Sequence, residues 1–267
     1  MADAAGLYLR LLGAHMRSQL QYRTSLALEL VGMFALAFVD FAAVLIVFHN
    51  VPQLAGWSVR EVAFLYAISK ISFGFAELAV GHLDRFPELL RTGAFDLLLI
   101  RPRGTLFQVL SSNFELRRLG IGLQGLVVLG YALAGLHIHW TAGRLAMLVT
   151  MPIAGAAVFS AVWVAAICIA FWTVEGKETA NAFTYGGQFF TEYPIGLYEP
   201  WLRRLLGFAI PMAFVSYFPA LYVLGKDDGL GLPAWLHFAS PLVAVVAACV
   251  AGLVWRVAVR HYRSAGG

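Results

Sequence analysis

The sequence predicts an all-α membrane protein with about six transmembrane helices. Hydrophobic residues make up 60% of its 267 residues and charged residues 13%, and the mean hydropathy is +0.76. Water-soluble domains carry about 25% charged residues, so lipid must surround most of this chain. A helix needs about 20 mostly apolar residues to cross the hydrocarbon of a bilayer, and six runs of about that length are present.

The six runs define the predicted spans, which cover about residues 24–48, 62–80, 119–138, 145–172, 205–224 and 234–255. The fourth run is longer than a crossing requires and contains Pro152, which removes a helical hydrogen bond, so a kink or a tilt is expected there. Because no internal repeat or linker divides the chain, residues 1–267 are predicted to form a single transmembrane domain.

Residues 1–23 are predicted to form an amphipathic helix at the membrane interface. Arg10 and Arg17 are seven residues apart and therefore share one helix face. The apolar face consists of residues at helical spacing, namely Leu9, Leu12, Met16 and Leu20. The segment does not have the organisation of a removable signal peptide.

The distribution of basic residues predicts that both termini are cytoplasmic. An even number of spans puts the two ends on one side, and about 15 of the 19 Lys and Arg residues then fall in segments on that side, which is typical of the cytoplasmic face. Arg60, Arg144 and Lys226 fall in outer loops, and Lys70 falls in a span. This bias explains the net charge of +4, so no nucleic-acid partner is expected.

Two connections on the predicted cytoplasmic side are long. Residues 81–118 are basic and carry helix and turn signals, so they are predicted to form a structured contact surface. Residues 173–204 are rich in aromatic side chains, which favours a location at the membrane interface. The sequence leaves open whether this second segment is interfacial, re-entrant or a further contact element.

Four ionisable residues lie within the first two predicted spans. Glu29 and Asp40 are eleven residues apart and Lys70 and Glu77 are seven apart, so each pair shares a helix face. An ionised group at mid-bilayer costs about 2.5–3.5 kcal/mol. Because the two spans are antiparallel, Asp40 and Lys70 reach a similar depth, and an ion pair between them is predicted. The pair either neutralises two charges between helices or lines a transport pathway.

The other two carboxylates are expected near the cytoplasmic ends of their spans. There Glu29 and Glu77 can extend toward Arg23, His82 or Arg85 at the interface. In the fifth predicted span, Pro211 and Pro219 remove helical hydrogen bonds, so they are candidates for a hinge.

The chain has no predicted catalytic or metal site of its own. Lys177 and its neighbours resemble a fragment of a phosphate-binding loop, but Phe171 stands at the position of the upstream glycine. The histidines are scattered, and Cys168 and Cys249 lie in apolar runs without metal-ligand spacing. Energy from ATP would therefore have to enter through another polypeptide.

Two motifs carry a family resemblance. Residues 90–102, LRTGAFDLLLIRP, followed by LFQVL at 106–110, resemble the inner loop of type-2 ABC exporter permeases. A second match comprises YPI at 193–195, YEP at 198–200 and PMAFVSYFPA at 211–220. The motifs occur in the order found in that family, and the resemblance covers essentially the whole chain.

The resemblance implies a permease that couples to a separate ATPase through a helix between spans two and three. By this resemblance Pro102 begins the coupling helix and 105–110 form its body. The residues implied in coupling are Asp96, Arg101, Pro102, Arg103, Thr105, Leu106, Phe107 and Gln108. An alternative is that they anchor the loop on anionic lipid.

The resemblance also implies the composition and location of the assembly. Two permeases, identical or homologous, pair with two ATPase subunits in the bacterial cytoplasmic (inner) membrane. ATP and Mg bind to the ATPase subunits, and no cofactor is expected on this chain. The motifs do not indicate the substrate.

Two other functions compete with the exporter. An ion-coupled transporter or channel would use Glu29, Asp40, Lys70 and Glu77 as a relay and would need no ATPase. An intramembrane enzyme acting on lipids would need clustered Asp or His residues with a phosphate-binding motif, which the sequence lacks.

Overall fold

The computed structural model describes residues 6, 13, 14, 16–173 and 176–262. The chain is 79% helical and has no strand within these ranges. The prediction of an all-α membrane protein is therefore confirmed. The amphipathic helix predicted over 1–23 lies mostly outside the described residues, and residues 16–21 of it are helical.

The α-helices of the described ranges are α1 (Arg23–Asn50), α2 (Val59–Val80), α3 (Phe86–Arg91), α4 (Asp96–Leu99), α5 (Thr105–Leu110), α6 (Leu119–Gly135), α7 (Ala142–Ile167), α8 (Gly176–Thr191), α9 (Pro200–Arg204), α10 (Tyr217–Leu224) and α11 (Ser240–Arg260). Short 3-10 helices cover Gly81–Arg85, Leu116–Arg118, Cys168–Phe171, Ile195–Leu197, Met212–Phe214 and Ala234–Phe238, and a π-helix covers Leu205–Ala209.

Five helical stretches are long and apolar enough to cross a membrane, and a bent pair makes a sixth when it is counted as one crossing. The five stretches are Arg23–Asn50, Val59–Arg91, Leu116–Gly135, Ala142–Phe171 and Ser240–Arg260. The bent pair is Pro200–Ala209 with Met212–Leu224, and the two parts meet at 68°.

The bundle has two ends, which we name after two tryptophans. At the Trp57 end, the Trp57 ring lies 5.7 Å from that of Tyr217, and Lys226 bonds Glu61 at 2.9 Å. At the Trp255 end, Trp255 packs against Phe86 with 5.1 Å between ring centroids.

Both the start of α1 and the end of α11 lie at the Trp255 end. The Gln19 side chain, four residues before α1, accepts a hydrogen bond from Leu116 N at 2.8 Å and donates one to Phe114 O. At the other terminus, the ring of His261 lies 5.7 Å from that of Trp172. The start of α1 and the end of α11 therefore share a side of the bundle.

Helix α2 is the buried centre of the bundle. Its first turn is closed by a capping box in which Ser58 and Glu61 exchange hydrogen bonds. Where α2 crosses α6, a Cβ on Gly74 would lie 2.7 Å from Gly122 N, and one on Gly125 would lie 3.0 Å from Ile71 N. Small residues thus allow the two backbones to touch, as in close helix pairs within membranes.

The fifth crossing differs from the predicted span at 205–224. Helix α8 passes up the bundle between α7 and α2, and the hydroxyl of Thr191 at its end lies 2.6 Å from that of Ser69. Ser216 then donates to Thr191 O at 2.6 Å, and α10 continues toward the Trp57 end. We therefore take α8 and α10, rather than the bent pair as a whole, as the two halves of this crossing. Residues 192–215, which include Pro200–Ala209, leave it and return at its middle.

Two expectations are corrected by this arrangement. Within the segment 173–204, residues Gly176–Thr191 form a helix with Ala180, Thr184 and Gln188 buried in the bundle, rather than a loop at the membrane interface. Arg203 lies within electrostatic range of the Tyr217 hydroxyl, so it does not join the basic residues of the Trp255 end. The sequence missed α8 because its glycines and polar residues lower its hydropathy.

The contact between α2 and α6 gives a stability prediction. Gly74→Ala would put a methyl group 2.7 Å from Gly122 N, and overpacking of this kind costs about 1–3 kcal/mol. We expect a lower thermal unfolding temperature for the purified variant in nanodiscs. Gly130→Ala is the control, because nothing lies within 4 Å of its Cβ. Equal unfolding temperatures for the two variants would contradict this packing.

Candidate functional site

A buried polar centre lies where the fifth crossing breaks. Lys70 Nζ is 3.2 Å from Asp40 Oδ2 and 2.9 Å from Glu192 Oε1. The side chains of Lys70 and Glu192 are only 4% and 3% exposed, whereas that of Asp40 is 49% exposed. The predicted ion pair between Asp40 and Lys70 is present, and Glu192 is a third member that the sequence reasoning missed.

Neighbouring polar groups satisfy the charges of this centre. Gln188 Nε2 donates to Glu192 Oε1 at 3.1 Å. The Lys70 ammonium also lies 5.1 Å from the ring of Tyr66 and 5.9 Å from that of Phe189. Because a buried charge is stable only when it is paired and hydrogen-bonded, these contacts hold α1, α2 and the end of α8 together.

Glu77 belongs to a second ionic group at the Trp255 end. Its Oε1 atom lies 3.0 Å from Arg118 Nη1 and accepts a hydrogen bond from the Tyr185 hydroxyl at 3.3 Å. The expected extension of Glu77 toward His82 or Arg85 is therefore wrong, because the guanidinium of α6's N-cap residue is closer. Nε2 of His82 instead lies 2.9 Å from Val109 O.

Glu115 joins this group to the segment before α6. Its Oε2 atom bonds Arg118 Nε at 2.9 Å and Arg117 Nη2 at 3.0 Å, and its Oε1 atom lies 3.4 Å from Arg85 Nη2. Burial alone would raise the pKa of Glu115, but the guanidinium groups of Arg118 and Arg117 outweigh it and lower this pKa.

Glu29 and the two prolines occupy different settings. Glu29 Oε1 accepts from the Ser25 hydroxyl at 3.4 Å, one turn from the start of α1. Pro211 stands at the 68° bend between the two parts of the bent pair, and Pro219 is buried inside α10.

The segment 81–118 is folded against the Trp255 end. Its helix α5 covers Thr105–Leu110, the range predicted for the body of a coupling helix. The helix begins after Gly104 rather than at Pro102, which lies in an exposed turn. Gln108 Nε2 closes this turn by donating to Leu98 O at 2.9 Å and to Arg103 O at 2.8 Å.

The outermost part of this segment is an apolar and basic tip, residues 97–104. Leu97, Leu99 and Ile100 are 58%, 44% and 80% exposed, and the residues of 101–104 are exposed as well. Contiguous exposed apolar side chains of this kind are typical of a surface that contacts a protein or a membrane.

Aromatic packing ties the tip's supporting helices to the bundle. The ring of Phe95 lies 5.0 Å from that of Tyr262, and Phe171 lies 5.7 Å from Trp255. The Trp255 indole also donates to the Thr105 hydroxyl at 3.1 Å. The segment is therefore joined to the ends of α7 and α11 rather than hanging as a free loop.

The fold and these two regions define a multi-pass helical membrane protein with an exposed apolar and basic surface at one end. The family model described as ABC-2 family transporter protein matches residues 34–266. The chain belongs to this family, and it is a membrane permease of an ABC transporter. Such a permease is the transmembrane subunit rather than the catalytic one, and it associates with an ABC ATPase subunit. Searches of curated proteins and of solved structures give no significant match.

The polar centre gives a prediction about buried charge. Lys70→Met leaves the carboxylates of Asp40 and Glu192 without their shared cation, which costs about 3–5 kcal/mol when the partners are buried. The control is Lys226→Met, which breaks the more exposed pair with Glu61 and should cost about 0–1 kcal/mol. Thermal unfolding in nanodiscs measures both changes, and a smaller loss for Lys70→Met would refute the pairing.

Glu115 gives a prediction about pH. Because its pKa is lowered in the folded protein, it contributes stability above the unfolded carboxyl value of about 4.3. That contribution is lost as the pH falls through the folded pKa. The unfolding temperature of Glu115→Gln should therefore fall less than that of the wild type between pH 7 and pH 3. Glu88→Gln, at an exposed pair with Arg91, should follow the wild type.

Proposed function

We propose that this permease belongs to an ATP-driven exporter and that its Trp255 end faces the cytoplasm. The observation that carries the proposal is the exposed tip at 97–104, which the aromatic contacts and the Trp255 bond to α5 connect to the spanning helices. The basic residues gathered at this end support its cytoplasmic orientation, in the bacterial inner membrane.

The tip docks on a separate ATPase subunit in this proposal. Ile100, Leu97 and the flanking Arg101 offer an apolar contact with a basic edge. Thr105 accepts a hydrogen bond from Trp255, and Gln108 donates to the backbone of the tip. These two residues therefore position the contact, together with the other residues of 96–108 named above. ATP and Mg bind only to the two ATPase subunits, and their closure pushes the segment 81–118 against the ends of α7 and α11.

A second permease, identical or homologous, covers the exposed face of α1. Asp40 lies well inside the membrane-spanning helix α1, yet half of its side chain is exposed. Its neighbours Leu36 and Val39 are 66% and 67% exposed. Ionisable residues within a membrane face a partner or a water-filled path rather than hydrocarbon. The two permeases thus enclose a path along which Asp40 is exposed.

The other members of the polar set have different roles in this path. Lys70 lies behind Asp40 and pairs with it, and Glu29 lies on the same helix nearer the cytoplasm. Glu77 is 3% exposed and bound to Arg118, so we assign it to structure. Pro219 within α10 and Pro211 at the bend before it act as hinge positions when the path switches outward.

Family membership favours this function over the ion-coupled alternative. An ion relay needs its four charged residues to be continuous, but the Asp40 and Glu77 groups lie in separate ionic clusters. ABC transporter permeases draw their energy from an ATPase subunit, which the exposed tip is suited to contact.

The tip gives a direct test. Ile100→Asp places a charge in the proposed contact, and we expect at least about a tenfold loss of the ATPase that copurifies with the wild-type chain, or about 1.4 kcal/mol. Val51→Asp, the same type of change at a residue 41% exposed at the Trp57 end, should retain it.

Two results would overturn the docking proposal. One is unchanged copurification and ATP-dependent transport in Ile100→Asp. The other is labelling of Ile100→Cys by an impermeant reagent from outside intact cells, because the tip would then lie on the wrong side of the membrane.

A further inference from the structure

A deep apolar groove lies between α7 and α11, away from the polar centre and the tip. Its volume is about 720 Å³, which is within the usual range of about 300–1,000 Å³ for ligand pockets. One wall comes from α7, through Ala161 and Ala165, and the other from α11, through Val243 and Ala247. Residues 208–211, at the bend between Pro200–Ala209 and Met212–Leu224, close one side.

The lining of the groove is predominantly hydrocarbon and aromatic. The side chains that face it belong to Ala, Val, Leu, Ile, Phe, Trp and Pro. A polar substrate or a charged headgroup would lose its hydration there without gaining a hydrogen bond. The groove therefore selects an apolar chain.

The open side of the groove continues into the surface that α11 presents to the bilayer. Leu242, Val246 and Val250 line the groove and are 67%, 53% and 50% exposed. Val245 and Leu253 on the same helix are 61% and 58% exposed. Since Ser240–Arg260 is a candidate span, acyl chains reach this opening directly from the membrane.

We propose that the groove holds one acyl chain of a membrane phospholipid as a bound lipid. An empty concavity would leave its walls without partner atoms on one side, and an acyl chain restores those dispersion contacts. Because Phe208 and Pro211 form part of the lining, the bound chain packs against the bend and stabilises it. The argument for this site does not depend on the transport function proposed above, although the bend it contacts includes Pro211.

Filling the groove tests the proposal. Ala247→Phe projects a ring into the groove, whereas Ala248→Phe adds the same ring to an exposed position outside the lining. In nanodiscs with phosphatidylcholine spin-labelled on its acyl chain, electron paramagnetic resonance counts the motionally restricted lipids. We expect Ala247→Phe to lower this count by about one lipid per chain and Ala248→Phe to leave it unchanged.

A second filling variant and a crosslinking experiment complete this test. Ala165→Leu fills the groove from the opposite wall and should give the same loss if Ala247→Phe fails to fold. Equal lipid counts in the folded filling variants and the wild type would overturn the proposal. So would a disulfide between copies through Val246→Cys in a Cys249→Ser background, because a second chain would then occupy the groove.

Discussion

The buried ammonium of Lys70 is the constraint on which the arrangement of the crossings depends. An unpaired charge at this depth would cost several kcal/mol, and a side chain 4% exposed cannot reach water. Two carboxylates neutralise it from opposite directions, Asp40 on α1 and Glu192 at the end of α8. Glu192 directly follows α8, so its pair with Lys70 holds the end of α8, and with it the break of the fifth crossing, beside the middle of α2.

The break also explains why sequence reasoning succeeded for some elements and failed for others. Long apolar runs predicted α1, α2, α6, α7 and α11, because a helix that must cross lipid carries that signal in its composition. Helix α8 carries no such signal. The hydroxyls of Thr184 and Thr191 donate hydrogen bonds to the carbonyl oxygens of Ala180 and Gln188 inside the bundle. Polar residues are therefore tolerated in a helix where hydropathy predicts a loop.

Contacts within the candidate site could be predicted only where spacing in the sequence constrained them. Asp40 and Lys70 lie on adjacent antiparallel spans, so depth alone brings them together. The bond between Glu77 and Arg118 joins residues 41 apart across the whole segment 81–118, and the bond between Glu192 and Lys70 depends on the unpredicted α8. The resemblance supplied the range of α5 and pointed to Arg101, Pro102 and Arg103, but the exposure of Leu97, Leu99 and Ile100 beside them emerged only from the structure.

Helix α1 is the element best placed to respond to movement of the segment 81–118. Only 17% of its most apolar stretch is buried, against 83% for α2, so fewer packing contacts hold it. A polar contact joins the residues just before α1 to the segment, because the Gln19 side chain accepts a hydrogen bond from Leu116 N. Another is the ion pair of Asp40 with Lys70. A displacement of the segment by an ATPase would thus act on α1 at its base, while the shared cation of the polar centre determines how far its exposed carboxylate can move.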